Sequence, residues 1–192
     1  LPDAYNSLTH ALKHASWATE IGVDFKFVNT ENIEKEGAKK YLRDVDGIVV
    51  PIGWGSRGVE GKIKAIKYAR ENKIPYLGLC FGMQLACVEF ARDVLKWKDA
   101  NTEEVNSKTK HKIIHSIPFD PKYQVIKGKG TSMRLGAYDC VIKKDTLAYK
   151  IYSEYGIGKK LKNGQLIVSE RHRHRYEFNN EYKKIMEDSG IT

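Results

Sequence analysis

The sequence predicts an α/β protein with a mostly parallel sheet covered by helices on both faces, and three observations carry that expectation. Short apolar runs, Gly47-Ile-Val-Val50 and Ile74-Pro-Tyr-Leu-Gly-Leu79, are bounded by turn residues and have the length of buried strands. Between and after them lie longer stretches whose apolar residues recur at helical spacing. The resulting order, strand, helix, strand, helix, is that of a parallel sheet whose sites form in loops at the carboxyl ends of its strands.

Taken in order, Asp3 is placed to cap a helix carrying Leu8, Ala11, Leu12 and Ala15 on one face, Gly22 ends it, and Val23-Asp-Phe-Lys-Phe-Val28 alternates like a strand. Glu34 to Leu42 reads as a second helix that leads into the Gly47 to Val50 run. Pro51 stops that run, and a glycine-rich loop, Gly53-Trp-Gly-Ser-Arg-Gly58, follows. Helices are expected over Glu60 to Asn72 and Gly82 to Leu95, flanking the strand at Ile74 to Leu79. Beyond Asn101 the signal weakens. Tyr138 to Ile142 and Gln165 to Ser169 read as strands, Asn179 to Asp188 as a helix, and Ser107 to Ser132 as a long excursion over the surface. No linker or fixed-period repeat divides the 192 residues, so one domain spanning 1–192 is expected.

With 41% hydrophobic and 30% charged residues, the chain has the apolar content of a packed core, which argues against disorder. No window approaches the roughly 18 consecutive apolar residues of a membrane span, and Leu1 to Ser7 lack a basic-then-apolar leader. The expectation is a cytoplasmic protein with no membrane partner. Cys80, Cys87 and Cys140 are odd in number and form neither a C-x-x-C pair nor a disulfide-scaffold spacing, so a free thiol and no metal are expected.

Lys and Arg total 33 against 24 Asp and Glu, and the net charge of +9 would suit nucleic acid, a membrane surface or an anionic small molecule. Lys62, Lys64 and Lys67 read as a solvated helix face. The densest basic run, Arg171 to Arg175, has no interleaved aromatic apart from Tyr176, so no nucleic-acid partner is expected.

The chemistry concentrates in Gly78-Leu-Cys-Phe-Gly82, where an apolar strand hands over to a helix. This is G-x-C-x-G, the thiol form of the sharp turn that exposes a nucleophile. A nucleophile at its apex takes a strained backbone conformation, and only residues without a Cβ let strand and helix approach on either side. The helix that begins after Cys80 is expected to favour the thiolate, and the Phe81 N–H to face a developing oxyanion. Cys87, inside a helix, and Cys140, in a strand, read as packing residues.

Four segments, in order and spacing, resemble the glutaminase domain of CTP synthases: Leu1-Pro-Asp-Ala-Tyr5, Gly53-Trp-Gly-Ser-Arg-Gly-Val-Glu-Gly61, Ile74 to Gln84 around the elbow, and Glu170-Arg-His-Arg-His-Arg-Tyr-Glu-Phe-Asn179. Met133-Arg-Leu-Gly136 and Asp99-Ala-Asn101 fit the same pattern. The resemblance implies a flavodoxin-like class I glutamine amidotransferase fold, with L-glutamine as substrate and a thioester on Cys80. It implies an oxyanion held by the Phe81 amide and one from Ile52-Gly53, with Gln84, Glu104, Arg175 and Tyr176 holding the amino-acid end of glutamine. Glu104 would accept an α-ammonium, and the planar fork of Arg175 suits an α-carboxylate.

The resemblance further implies that ammonia passes to an amidoligase domain of the same parent chain, where ATP, Mg2+ and UTP would bind. GTP would be an allosteric effector, the parent a homo-tetramer, and this domain would need no cofactor. Two departures stand out. The family has a first strand before Leu-Pro-Asp-Ala-Tyr and a His-Pro-Glu motif that supplies base and orienting acid. Neither is in this sequence, and none of His10, His14, His111, His115, His172 and His174 matches that base. Two readings follow: a piece of a longer parent, favoured because losing a strand exposes sheet edges, or a non-catalytic amidotransferase-like binding module. Either way the chain alone is expected to turn over little glutamine. The second departure is Ile52, where the family has glycine; a β-branched residue resists positive φ and would keep the loop amide off the oxyanion.

Overall fold

The computed structural model describes residues 2–120, 124–125 and 132–191. A 3₁₀ turn leads into α1 (Asn6–Thr19), followed by α2 (Thr30–Glu36), α3 (Ala38–Leu42), β1 (Ile48–Val50), α4 (Val59–Glu71), β2 (Tyr76–Gly78) and α5 (Phe81–Asp93). Next come β3 (Asn101–Thr102), β4 (Lys112–Ser116), β5 (Gln124–Val125), β6 (Ser132–Ile142) and α6 (Leu147–Glu154). The chain closes with β7 (Lys159–Lys160), β8 (Leu166–His174), β9 (Tyr176–Phe178), a 3₁₀ turn and α7 (Lys183–Asp188). These elements form two compact units, Leu1–His115 with Glu177–Thr192, and Ser116–Tyr176.

In the first unit β1 and β2 pair in parallel, Ile48 with Tyr76 and Val50 with Gly78, as the α/β expectation requires. The α4 face carrying Val59, Ile63, Ala65, Ile66 and Ala69 is buried, as are Phe81, Leu85 and Val88 of α5. Arg70 grips Glu89 with both prongs of its guanidinium, at 2.7 to 3.1 Å, and the Glu89 side chain is 1% exposed. A carboxylate so far out of water is tolerated because a planar fork satisfies it. Arg92 to Glu60 at 2.9 Å and Lys67 to Asp93 at 2.5 Å repeat the α4–α5 brace.

Several expectations are corrected here. Asp3 does not cap the first helix; Tyr5 precedes α1 without a side-chain bond, and Glu20 ends it in the left-handed conformation before Gly22 is reached. Val23 to Val28 forms no strand, because alternation becomes a strand only where a neighbour takes its backbone hydrogen bonds. The expected helix from Glu34 to Leu42 is two helices broken at Gly37, φ +88°, and the Asn29 side chain caps the first by accepting from Glu31 N–H. The expected excursion from Ser107 to Ser132 contains β4, and Ile113, Ile114 and Ile117 there are fully buried. Residues 121–123 and 126–131 of that stretch lie outside the described residues. β3 and β4 run parallel in a sheet ordered β3-β4-β9.

The second unit is an antiparallel sheet ordered β5-β6-β8-β7; the strands expected at Tyr138 to Ile142 and Gln165 to Ser169 correspond to parts of β6 and β8, while their antiparallel pairing and their extension to Ser132 and His174 are not read from the sequence. β6 and β8 pair continuously from Arg134 with His174 to Ile142 with Leu166. Ile142, Leu166 and Val168 form its core, covered by Tyr149 and Tyr152 of α6, which Thr146 caps. No helix among the described residues is long and apolar enough to cross a membrane.

Candidate active site

Cys80 sits between β2 and α5 with φ 54° and ψ −105°, a backbone conformation that costs of order 1–3 kcal/mol for a residue with a Cβ. The surroundings that hold it there are visible. A Cβ on Gly78 would come 2.6 Å from the Met83 nitrogen, and one on Gly82 would overlap the Val50 carbonyl oxygen. Both flanking glycines are therefore required by close approach, as the G-x-C-x-G pattern predicts. Leu79 N–H donates to the Val50 carbonyl at 3.0 Å, and the Tyr76 hydroxyl donates to the Gly82 carbonyl at 2.8 Å. Sequence reasoning missed Tyr76, because a tyrosine in an apolar run reads only as a strand residue.

Three influences act on the Cys80 thiol. Burial pushes it up, the Phe81 N–H opposes, and the Glu104 carboxylate adds a further upward push. The helix start does favour the thiolate through the Phe81 N–H, as expected, but burial and Glu104 outweigh it and the thiol lies above its ordinary pKa. A thiol in this setting needs a base to take its proton.

The neighbouring acids Glu103 and Glu104 have separate fates. Glu103 pairs with Lys112 at 2.6 Å, whereas Glu104 accepts from the Gly55 N–H at 3.3 Å and has no ion-pair partner among the described residues. Its own N–H donates to Thr102 Oγ1 at 3.2 Å, fixing the turn after β3. Gln84, 4% exposed, lies one helical turn beyond Cys80 on α5. Cys80, Phe81, Gln84, the 53–55 loop and Glu104 thus come together within the first unit. Ile52 is half exposed and keeps an ordinary φ, as β-branching demands, while Gly53 makes the close approach to the Phe81 ring.

In the second unit Arg175 follows β8 as an exposed residue whose carbonyl accepts from Ile117 N–H at 2.9 Å. Its guanidinium has no ion-pair partner among the described residues. Tyr176 opens β9 and is half-buried. Along β8, Arg171 and Arg173 are exposed while His172 and His174 turn to the other face, 5.3 Å apart, with Tyr138 5.4 Å from His172. Burial first, then His172 and Arg134, holds His174 below its ordinary pKa. Neither histidine has a carboxylate partner among the described residues, so neither has the orienting acid of a general base.

Elsewhere His111 bonds Asp99 at 2.7 Å and His115 stands 4.0 Å from Glu177. Cys87 is half-buried, its thiol pushed up to about 11 by desolvation, whereas Cys140 is exposed rather than packed. No group of three or more His, Cys, Asp or Glu among the described residues could hold a metal ion.

Comparison with known proteins adds three findings. A family model described as "Glutamine amidotransferase class-I" matches residues 1–191. CTP synthases from Clostridium beijerinckii and Herpetosiphon aurantiacus are 48% and 50% identical over the whole chain, which spans about a third (33%) of their length. Among solved structures, the glutaminase domain of Trypanosoma brucei CTPS with bound acivicin superposes with a TM-score of 0.83 at 37% identity, covering 98% of this chain and 67% of that one.

Proposed function

The chain belongs to the class-I glutamine amidotransferases, with the α/β fold of their CTP synthase glutaminase domains, and from that premise we propose that it hydrolyses L-glutamine through a Cys80 thioester and supplies ammonia for ATP-dependent amination of UTP. One observation carries the reading: a strained cysteine at the head of α5 faces a carboxylate, Glu104, that has no ion-pair partner among the described residues.

In this reading Cys80 Sγ attacks the side-chain amide carbon, and the C–N bond breaks as the nitrogen gains a proton and leaves as ammonia. Water then cleaves the thioester to glutamate. Glu104 receives the α-ammonium, and Gln84 and Tyr176 line the amino-acid end. Arg175 receives the α-carboxylate, a role suited to an exposed guanidinium with no ion-pair partner among the described residues. The Phe81 N–H and an amide of Ile52-Gly53 hold the oxyanion. Because burial and Glu104 raise the thiol, turnover needs a base that no histidine described above provides to Cys80. The His-Pro-Glu motif of the family is proposed to supply it, so the chain alone works poorly. ATP, Mg2+ and UTP, with GTP as effector, are assigned to an amidoligase part of a cytoplasmic, homo-tetrameric full-length protein.

The second reading, a non-catalytic amidotransferase-like module, is favoured by Ile52, which keeps an ordinary φ in the loop, and by the burial that raises the Cys80 thiol. The two separate in the full-length protein. The glutaminase reading expects Cys80→Ala to abolish CTP formation from glutamine while formation from ammonia persists. Normal glutamine-dependent synthesis in that variant would remove Cys80 from the mechanism.

A further inference from the structure

Lys62 lies near the start of α4, beside the glycine loop. Its Nζ stands 5.0 Å from the centroid of the Phe81 ring. A Cβ placed on Gly53 would come 2.9 Å from that Nζ and 3.2 Å from Phe81 Cδ1, so ammonium, loop and ring are in mutual contact. Phe81 is the residue whose N–H reaches the Cys80 sulfur, and Gly53 belongs to the segment assigned to the second oxyanion donor.

The other two lysines of this helix face have oxygen partners: Lys64 donates to the Glu34 carbonyl at 2.7 Å and Lys67 to Asp93 at 2.5 Å. Lys62 has neither a hydrogen bond nor an ion pair among the described residues, and it is half-buried rather than part of the solvated face its spacing suggested. Desolvation lowers its pKa, and no carboxylate opposes that shift. An ammonium held partly out of water without an anion is unfavourable, and the face of an aromatic ring recovers only part of the loss. Such a charge is useful where negative charge develops during a reaction and is absent before it.

We propose that Lys62 is a positioning residue of the oxyanion site, its ammonium holding the Gly53 segment against the Phe81 ring and biasing that pocket toward the anion formed when Cys80 attacks the amide. The inference rests on the glutaminase reading. In this proposal the effect of Lys62 falls on the tetrahedral step, where negative charge develops on the amide oxygen.

The test uses the full-length protein with Lys62→Met, which keeps the stem and removes the charge, Lys62→Gln as a second neutral variant, and Lys62→Arg, which keeps the charge. Glutamine hydrolysis should show kcat reduced about 10- to 100-fold in a folded neutral variant, less than removal of a direct oxyanion donor costs. KM should stay within about twofold, as for an interaction made only in the transition state. Lys62→Arg should recover most of the rate, and iodoacetamide should alkylate Cys80 equally fast in all forms, since that reaction forms no oxyanion. An unchanged kcat in the neutral variants, a loss confined to KM, or an arginine variant no better than methionine would overturn the assignment while leaving the glutaminase reading intact. Absence of Cys80-dependent hydrolysis in the unaltered protein would overturn that reading and this inference with it.

Discussion

The elbow around Cys80 and the β6–β8 ribbon, which leads into Arg175 and Tyr176, are built on opposite terms. At the elbow, backbone meets backbone: Gly78 lies against the first turn of α5, Gly82 against Val50, and the side chains of Phe81 and Leu85 are fully buried. In the ribbon, a regular antiparallel ladder presents Arg171 and Arg173 to solvent, with Arg175 exposed beyond its end, and Gly136 has nothing within 4 Å of where a Cβ would go. A motif held by backbone contact dictates its residues through sterics, whereas an exposed ribbon leaves its side chains to be chosen by what they bind.

The strongest way to break this contrast is a methyl group. Gly82→Ala sets a Cβ inside the Val50 carbonyl and should cost about 3 kcal/mol or more, in the range of severe core disruption, or prevent folding. Gly136→Ala meets open space and bears only the strain of φ +102°, about 1–2 kcal/mol. Urea denaturation of both variants decides the matter, and equal losses would mean that the elbow glycines are not held by close approach.

Glu104 sharpens the comparison, because one substitution should move two readouts in opposite directions. Glu104→Gln removes the acceptor for the α-ammonium and should raise KM for glutamine about 10- to 100-fold, the value of a charged hydrogen bond of roughly 1.5–3 kcal/mol. It also removes an upward push on Cys80, so the thiol pKa should fall and iodoacetamide alkylation at neutral pH should quicken. Slower alkylation would place Glu104 away from the nucleophile.

In the ribbon the effects are smaller. Arg175→Ala should raise KM about 10-fold with an unchanged Tm, since its exposed side chain supports no described contact, whereas Arg171→Ala should leave KM within about twofold. A lowered Tm with unchanged KM in Arg175→Ala would make that residue structural.

The same contrast explains what the sequence made legible. The elbow could be read because glycine spacing records a steric demand, and β1, α4, β2 and α5 could be read because apolar spacing records burial. The ribbon could be read only in part: Tyr138 to Ile142 and Gln165 to Ser169 show as strands and do pair, but Glu170 to His174 is polar at every position and looks nothing like a half-buried strand, although it pairs residue by residue with Arg134 to Tyr138. Val23 to Val28 failed the other way, with good alternation and no ladder. The balance on Cys80 was out of reach because desolvation and the approach of Glu104 are tertiary facts, and Lys62 was hidden because helical spacing shows a face without showing what covers it.

The most direct measurement is of which cysteine reacts with a glutamine-like electrophile. Peptide mass spectrometry of the chain treated with a substoichiometric amount should find the label on Cys80 alone, and free L-glutamine should protect it, although exposed Cys140 is the easier target for a reagent without recognition. Label on Cys140, or label on Cys80 that L-glutamine does not suppress, would contradict the account.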